Sequence, residues 1–485
     1  MSKTVIKPPK KFHEDTELSL KNLSQESFEV SRLPIKAIRF PNPLILAKKS
    51  WKTEGIFLTE SSRILADTLP DADQGKKWTM RLAGPRADLH FEPSQTIIGV
   101  VTCGGLCPGL NDVIQGIVST ALEAYDVKAI YGFRYGYWGL SAQGKHSAID
   151  LTYNLTRGIN QFGGSFLGTS RGPQDSKEIV DTLVQYKVNI LFTIGGDGTQ
   201  RGASNIVHEV RKRKLDIAVV GIPKTIDNDI SFSHRTFGFE TAVEQAVSSI
   251  RCAYAEAKSH LNGIGLVKVM GRHSGFIAAQ AVLACACAHI CLIPECPISK
   301  KTFLELVDQQ LGKDPFCVIV VAEGFGQTWF SNKSEKKDPS GNVKLMDIGE
   351  EIQETLKNYK RTSERKVSTI KYIDPSYTIR SCTANSSDAA FCAQLAMLAV
   401  HEAMYGVTDA LVLSWYDHFV TLPIMLATRV RKVVDLRGKL WSAVRQITAD
   451  LDNPQDDQAR KKKLQRELHR LCREKKQIKS ILGKL

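Results

Sequence analysis

The chain has 485 residues, 42% of them apolar and 24% charged, close to globular averages. Such a length can bury sizeable cores in about three domains, and the composition excludes a largely disordered chain or a fibrous repeat. Basic residues exceed acidic ones by 14, with eleven Lys/Arg against two Glu in residues 460–485; with no zinc-finger, RNP-like or helix-turn-helix pattern, this tail reads as a solvated basic helix, and nucleic acid is not expected.

Residues 1–93 carry scattered prolines, charges and short apolar runs without a sustained period, and read as an N-terminal extension or arm without its own core. The character changes at Thr96. IIGVVTCGG is a buried-strand run ending in glycines, LNDVIQGIVSTALEAY a helix, and VKAIYGF a strand leading to a loop with GYWGL. The helix SKEIVDTLVQYK and two more glycine- or polar-ended strands follow, NILFTIGGDGT and IAVVGIPKTIDND.

The second half continues with the helix TAVEQAVSSIRCAYAEAK, the strand GIGLVKVMG, an Ala-rich helix, and the strands ICLIPE and FCVIVVAEGFG. Residues 326–345 are polar and predict a surface loop. A helix at 389–405 and a strand at 409–414 restore the pattern; beyond about 430 the chain reads as helical and increasingly basic. This alternation predicts an α/β fold, parallel sheets covered by helices, with ligands beyond the carboxyl ends of the strands.

Eleven cysteines and the polar start MSKTVIKPPKKFHED predict no signal peptide, and reduced thiols in an intracellular compartment. Cys285, Cys287, His289 and Cys291 would share one strand face as a metal set, but GFIAAQAVLACACA looks helical, which favours small buried residues over a metal site. Residues 276–294 are long enough to cross a bilayer, yet Gln280, His289 and the small residues favour a buried helix and strand, so no membrane insertion is expected.

Five turns carry chemistry. GGDGT at 195–199 lets backbone amides approach a phosphate, and Asp197 within it suits a magnesium ion bound to that phosphate. TIDND at 225–229 offers Thr225 and two carboxylates, one of which can accept a proton from an attacking hydroxyl. CGGLCPGLN at 103–111 leads into a helix start that favours anions, while SRGP at 170–173 and MGRHSG at 270–275 supply Arg171 and Arg272 beside glycines. Together they converge on two phosphorylated ligands.

TCGGLCPGLND, GTSRGPQD, GGDGT, PKTIDND, MGRHSG, VAEGFG and DPSYTIR, in this order, resemble the 6-phosphofructokinases, and the two extensions resemble the kinetoplastid ATP-dependent form. The likeness covers about residues 96–440 well. It implies two Rossmann-like three-layer domains: a nucleotide domain at 94–238 plus about 379–430, and a sugar-phosphate domain at 239–378. These are flanked by the arm at 1–93 and a helical basic extension at 431–485. It implies transfer of the ATP γ-phosphoryl group to O1 of fructose 6-phosphate with Mg2+, and a homotetramer. Asp227 would be the base, with Arg171 and Thr225 also catalytic, and Asp197 the metal carboxylate. Gly105, Tyr137, Arg171, Gly196, Asp197, Gly198 and Lys224 would line the nucleotide side. Thr225, Asp227, Asp229, Met270, Gly271, Arg272, Glu323, Tyr377 and Arg380 would surround the sugar phosphate.

The sequence also departs from the bacterial pattern. Tyr377 and Arg380 stand where bacterial enzymes have His-x-x-Arg. Gly263 falls near a bacterial Arg that crosses the subunit interface, and Lys371 is the expected substitute. Lys224 replaces a bacterial glycine and is typical of pyrophosphate-dependent relatives, which makes a pyrophosphate-dependent enzyme the alternative. A regulatory subunit binding a polyanion through the tail is a further alternative, opposed by the intact Asp197, Asp227 and Arg272. The ending Gly483-Lys484-Leu485 is close to the Ser-Lys-Leu peroxisomal address, implying an import receptor as partner and a glycosomal location.

Overall fold

The computed structural model describes residues 24–34, 36, 39–46, 58–59, 62–65, 78–144, 148–330, 343–363, 365–449 and 451. The basic tail, the Gly483-Lys484-Leu485 ending and residues 331–342 of the polar loop lie outside the described residues.

A first sheet collects β1 (Arg63–Leu65), β2 (Thr79–Leu82), β3 (Ile97–Thr102), β4 (Ala129–Phe133), β5 (Ile149–Asp150), β6 (Ile190–Gly195) and β7 (Ala218–Pro223). The chain then builds a second sheet from β8 (Gly263–Val269), β9 (Ile290–Leu292), β10 (Phe316–Ala322) and β11 (Ile370–Ile373). It returns to the first with β12 (Ala410–Trp415) and β13 (His418–Pro423). The orders are β1-β2-β13-β12-β7-β6-β3-β4-β5 and β9-β10-β8-β11. The second sheet is wholly parallel. In the first, β12-β7-β6-β3-β4 run parallel, and the antiparallel strands stand at the flanks.

The helices used below are α1 (Leu110–Tyr125), α2 (Asp197–Lys212), α3 (Phe239–Lys258), α4 (Phe276–Cys285), α5 (Ser376–Ser381), α6 (Ser386–Met404) and α7 (Lys439–Ile447). Strand β3 shows why its apolar run is continuous. Ile98 and Val100 face a core with Ile114 and Val118 of α1 and Leu395 and Ala399 of α6, while Ile97 and Val101 face another with Ile206 and Val210 of α2. A parallel strand with helices on both faces has no polar side to show. The second sheet has its own core, built with α3 and α4.

Two segments join these cores from outside the regular alternation. The described part of the arm adds β1 and β2 to the first sheet, with Trp78 and Met80 buried. After β13 the chain crosses to the second core, where Val434, Trp441 and Val444 are buried. Residues expected to be helical from about 430 are extended at first: Arg431 bridges Ile230, and the helix begins at Lys439.

The alternating Cys285, Cys287, His289 and Cys291 fall on a helix end, a turn and a strand. The described cysteines are free thiols. Among the described residues, no helix is long and apolar enough to cross a membrane.

Candidate active site

The glycine-ended strands put their turns at one edge of the first sheet. After β3, Gly109 precedes α1 at φ 97°, and a Cβ there would come 2.6 Å from Cys392 Sγ, so glycine alone fits. The Gly104 N–H donates to the Ser170 carbonyl at 2.9 Å, zipping this turn to the one carrying Arg171. A Cβ on Gly105 would lie 3.2 Å from Arg171 Nη2, and one on Gly104 3.6 Å from Lys224 Nζ. Two cations thus border one glycine turn, a geometry that suits an anion. Lys224 is buried; burial holds its ammonium below the ordinary lysine value.

After β6, Gly196 is the N-cap and Asp197 the first residue of α2. The aspartate therefore opens a helix, and the exposed Gly198 stands in its first turn, where free amides favour phosphate. A Cβ built on Gly198 meets no atom within 4 Å. Tyr137, expected on the nucleotide side, packs against this same helix start. Its buried hydroxyl donates to the Thr199 carbonyl at 2.8 Å, supporting the first turn of α2 from beneath.

After β7, the TIDND turn closes on itself. Thr225 Oγ1 donates to Asp229 Oδ1 at 2.6 Å and accepts the Asp227 N–H at 3.2 Å. The second sheet meets it here. Arg272 N–H reaches Asp227 Oδ2 at 3.5 Å, and Ser274 Oγ donates to the Asp227 carbonyl at 3.2 Å. Asp227 Oδ1 is buried and, among the described residues, accepts no hydrogen bond. Burial, then the neighbouring Asp229 and Glu323 charges, push this carboxyl well above the usual carboxylate range.

Met270, Gly271 and Arg272 follow β8, and Glu323 follows β10 beside them; the Glu323 N–H donates to the Val269 carbonyl at 2.9 Å. Burial raises Glu323, offset by Arg380 and Arg272. Arg380 on α5 donates to the Ser376 carbonyl at 3.2 Å and lies 5.4 Å from the ring of Tyr377, which is 82% exposed.

Lys371 does not join this group within one chain. It lies on the edge strand β11 opposite Gly265, about 13 Å back along the sheet from Val269, and its ammonium pairs with Glu256 of α3 at 3.3 Å. At Gly263 a Cβ would come 2.3 Å from the Ala257 carbonyl, so the backbone leaves no room for an arginine there.

No motif in the sequence points to Arg431, which the structure brings to the Asp197 and Asp229 carboxylates. Its guanidinium lies 2.8 Å from Asp197 Oδ2 and 3.2 Å from Asp229 Oδ2. Burial raises Asp197, and Arg431 opposes the shift. Among the described residues, no three His, Cys, Asp or Glu side chains gather to hold a metal unaided. Magnesium takes one or two carboxylates and completes its shell with water and substrate phosphates. Asp197, a hard oxygen donor at a phosphate-favouring helix start, has the right chemistry.

Phosphoryl transfer is what anion-favouring turns facing one unsatisfied carboxylate can perform, and open α/β enzymes carry out their chemistry at such strand ends. The family model for phosphofructokinase matches residues 97–403. The chain belongs to the phosphofructokinase family.

Among its relatives, the ATP-dependent 6-phosphofructokinase of Trypanoplasma borreli is 51% identical over 456 residues, covering 93% of this chain and 92% of that one. The enzyme of the same name from Trypanosoma brucei brucei is 48% identical over 475 residues, 96% of each. Solved structures share the fold. A pyrophosphate-dependent phosphofructokinase from Marinobacter aquaeolei matches with TM-score 0.61 at 19% identity, over 73% of this chain and 92% of that one. Pichia pastoris phosphofructokinase in the T-state matches with TM-score 0.57 at 21% identity, over 76% of this chain and 41% of that one.

Proposed function

We propose that the chain transfers the γ-phosphoryl group of ATP to O1 of fructose 6-phosphate, giving fructose 1,6-bisphosphate and ADP, as a step of glycolysis. The observation that carries this reading is Asp227 Oδ1, a buried carboxylate oxygen without a partner among the described residues, where turns of both sheets meet. As base, Asp227 accepts the O1 proton while that oxygen attacks. Thr225 holds the Asp227 backbone in place. Arg171 and Lys224, beside the Gly104-Gly105 turn, neutralise the phosphoryl group in transit. The nucleotide binds over Gly105 and the Gly196–Gly198 turn. The sugar phosphate lies against Asp229, Met270, Gly271, Arg272, Glu323, Tyr377 and Arg380.

Asp197 would hold Mg2+ of Mg-ATP, and the bound ion would neutralise charge on the phosphate oxygens. Lys371, on its edge strand, would serve a neighbouring copy's sugar phosphate in a homotetramer. A pyrophosphate-dependent reaction remains the second reading because of Lys224, whose ammonium could neutralise bare pyrophosphate. Relatives named as ATP-dependent and covering more than nine-tenths of the chain support the first.

A coupled assay for fructose 1,6-bisphosphate with purified protein decides between them. Turnover with Mg-ATP and none with pyrophosphate is expected. Turnover with pyrophosphate alone reverses the choice of donor, and turnover with neither removes both readings.

A further inference from the structure

The chain after β13 is fastened across the catalytic turns. Ser231 Oγ donates to the Val430 carbonyl at 2.7 Å, and the Lys432 N–H to the Asp229 carbonyl at 2.8 Å. The Lys432 ammonium donates to Asn228 Oδ1 at 3.1 Å and to the Ser233 and His234 carbonyls at 2.7 and 3.3 Å. Val434 N–H donates to Glu295 at 2.8 Å, and Glu295 also accepts the Gly275 N–H at 3.0 Å. Beyond it, α7 packs Trp441 and Val444 into the second core. Arg431 sits between these fastenings, so its backbone is fixed by both halves of the molecule.

Its side chain spans two carboxylates from different strand ends, Asp197 after β6 and Asp229 after β7. A guanidinium is a rigid fork whose nitrogens can serve two acceptors at once, which a lysine ammonium cannot do with the same geometry. Asp229 is held on both oxygens, by Arg431 and Thr225. Asp197 Oδ2, the other end of the fork, belongs to the carboxylate assigned above to the metal. A metal ion on that oxygen and a guanidinium at 2.8 Å from it would repel each other.

We propose that Arg431 is a positioning residue of the catalytic site. It holds Asp197 and Asp229 at their spacing when metal is absent, and it competes with the divalent metal for Asp197. Metal–nucleotide binding then releases one arm of the fork while the other stays on Asp229. The inference rests on the reading of Asp197 as the metal carboxylate.

The test titrates Mn2+ alone into full-length protein and follows free Mn2+ by electron paramagnetic resonance. Wild type, Arg431→Gln, Arg431→Lys and Asp197→Asn are compared. Losing a charge-assisted competitor should tighten Mn2+ binding in Arg431→Gln at least about tenfold, with Arg431→Lys between it and wild type. The same glutamine variant should lower kcat at least about tenfold while needing less Mg2+ for half-maximal rate. Unchanged or weaker Mn2+ binding in Arg431→Gln, with binding abolished in Asp197→Asn, overturns the role of Arg431 and leaves the metal reading intact. Mn2+ binding that survives Asp197→Asn overturns the metal reading, and this proposal with it. If the glutamine variant does not fold, Arg431→Lys carries the comparison: at least about threefold tighter Mn2+ binding is expected, and wild-type affinity overturns the proposal.

Discussion

The Thr225 hydroxyl donates to Asp229 Oδ1 at 2.6 Å, and this contact separates the two carboxylates of the TIDND turn. Asp229 is committed on both oxygens, the second to Arg431 at 3.2 Å. Asp227 keeps Oδ1 unpartnered among the described residues. A general base needs an oxygen free to take a proton. Asp227→Asn should therefore cut kcat by at least about 10²-fold with a smaller change in sugar KM. Asp229→Asn, which keeps the shape, should cost less in kcat. Steady-state kinetics of folded variants check this, and a near-normal kcat for Asp227→Asn removes the assignment.

The same environment sets a pH dependence. Burial first, then Asp229 and Glu323, favour the protonated Asp227. A base must be deprotonated to act, so a raised pKa means that activity is lost at a higher pH as acid is added. The acid limb of kcat/KM for the sugar should lie well above the ordinary Asp value of about 3.9. Replacing Asp229 by Asn removes a like charge, which lowers the Asp227 pKa and moves that limb to lower pH. A limb that stays, or moves upward, shows that a different group titrates.

Much of the fold was legible because parallel strands buried on both faces leave continuous apolar runs. IIGVVT, ILFTIG and AVVGIP each end where a turn of the candidate site begins. Strands β1, β2 and β13 gave weaker signals: they are antiparallel additions at one flank, with charged or half-exposed residues such as Arg63, Arg81 and His418. GGDGT reads as a turn at a strand end, whereas Asp197 already opens a helix; the apolar residues of α2 further on carry that signal. Arg431 could not be found by motif. It lies 202 residues from Asp229, on a segment that reads in the sequence only as helical and increasingly basic. Pairing at that separation is decided by the path of the chain between the two sheets, which no local pattern encodes.

Residues 81–86, in the described part of the arm, are fixed by a buried ion cluster. Glu402 of α6, fully buried, accepts from Arg81 of β2 at 3.1 Å, from Arg86 at 2.9 Å and from the Gly84 N–H at 3.1 Å. Removing one member of such a group leaves uncompensated buried charge. Glu402→Gln should destabilise the protein by about 3–5 kcal/mol, measured by urea unfolding. A loss below about 1 kcal/mol, the range of exposed pairs, would mean that the arm does not depend on this carboxylate.

The choice of phosphoryl donor turns on Gly198 and Lys224. Gly198 lies in the first turn of α2 directly after Asp197, exposed, and a Cβ there would meet no atom within 4 Å. An aspartate at this position therefore fits the protein itself, and Gly198→Asp should fold with a melting temperature near wild type. Its carboxylate would instead meet the phosphates of ATP with like charge and added volume. Exclusion of this kind costs several kcal/mol, so ATP kcat/KM should fall by at least about 10²-fold. Lys224 acts on a different quantity. Its ammonium, buried beside Gly104, can neutralise the transferring phosphoryl group of either donor. Lys224→Gly should slow turnover with ATP without opening a pyrophosphate reaction. The two variants thus separate exclusion from neutralisation. Assays of both with ATP and with pyrophosphate decide the matter: a Gly198→Asp protein that keeps full ATP activity would show that this helix start does not face the nucleotide.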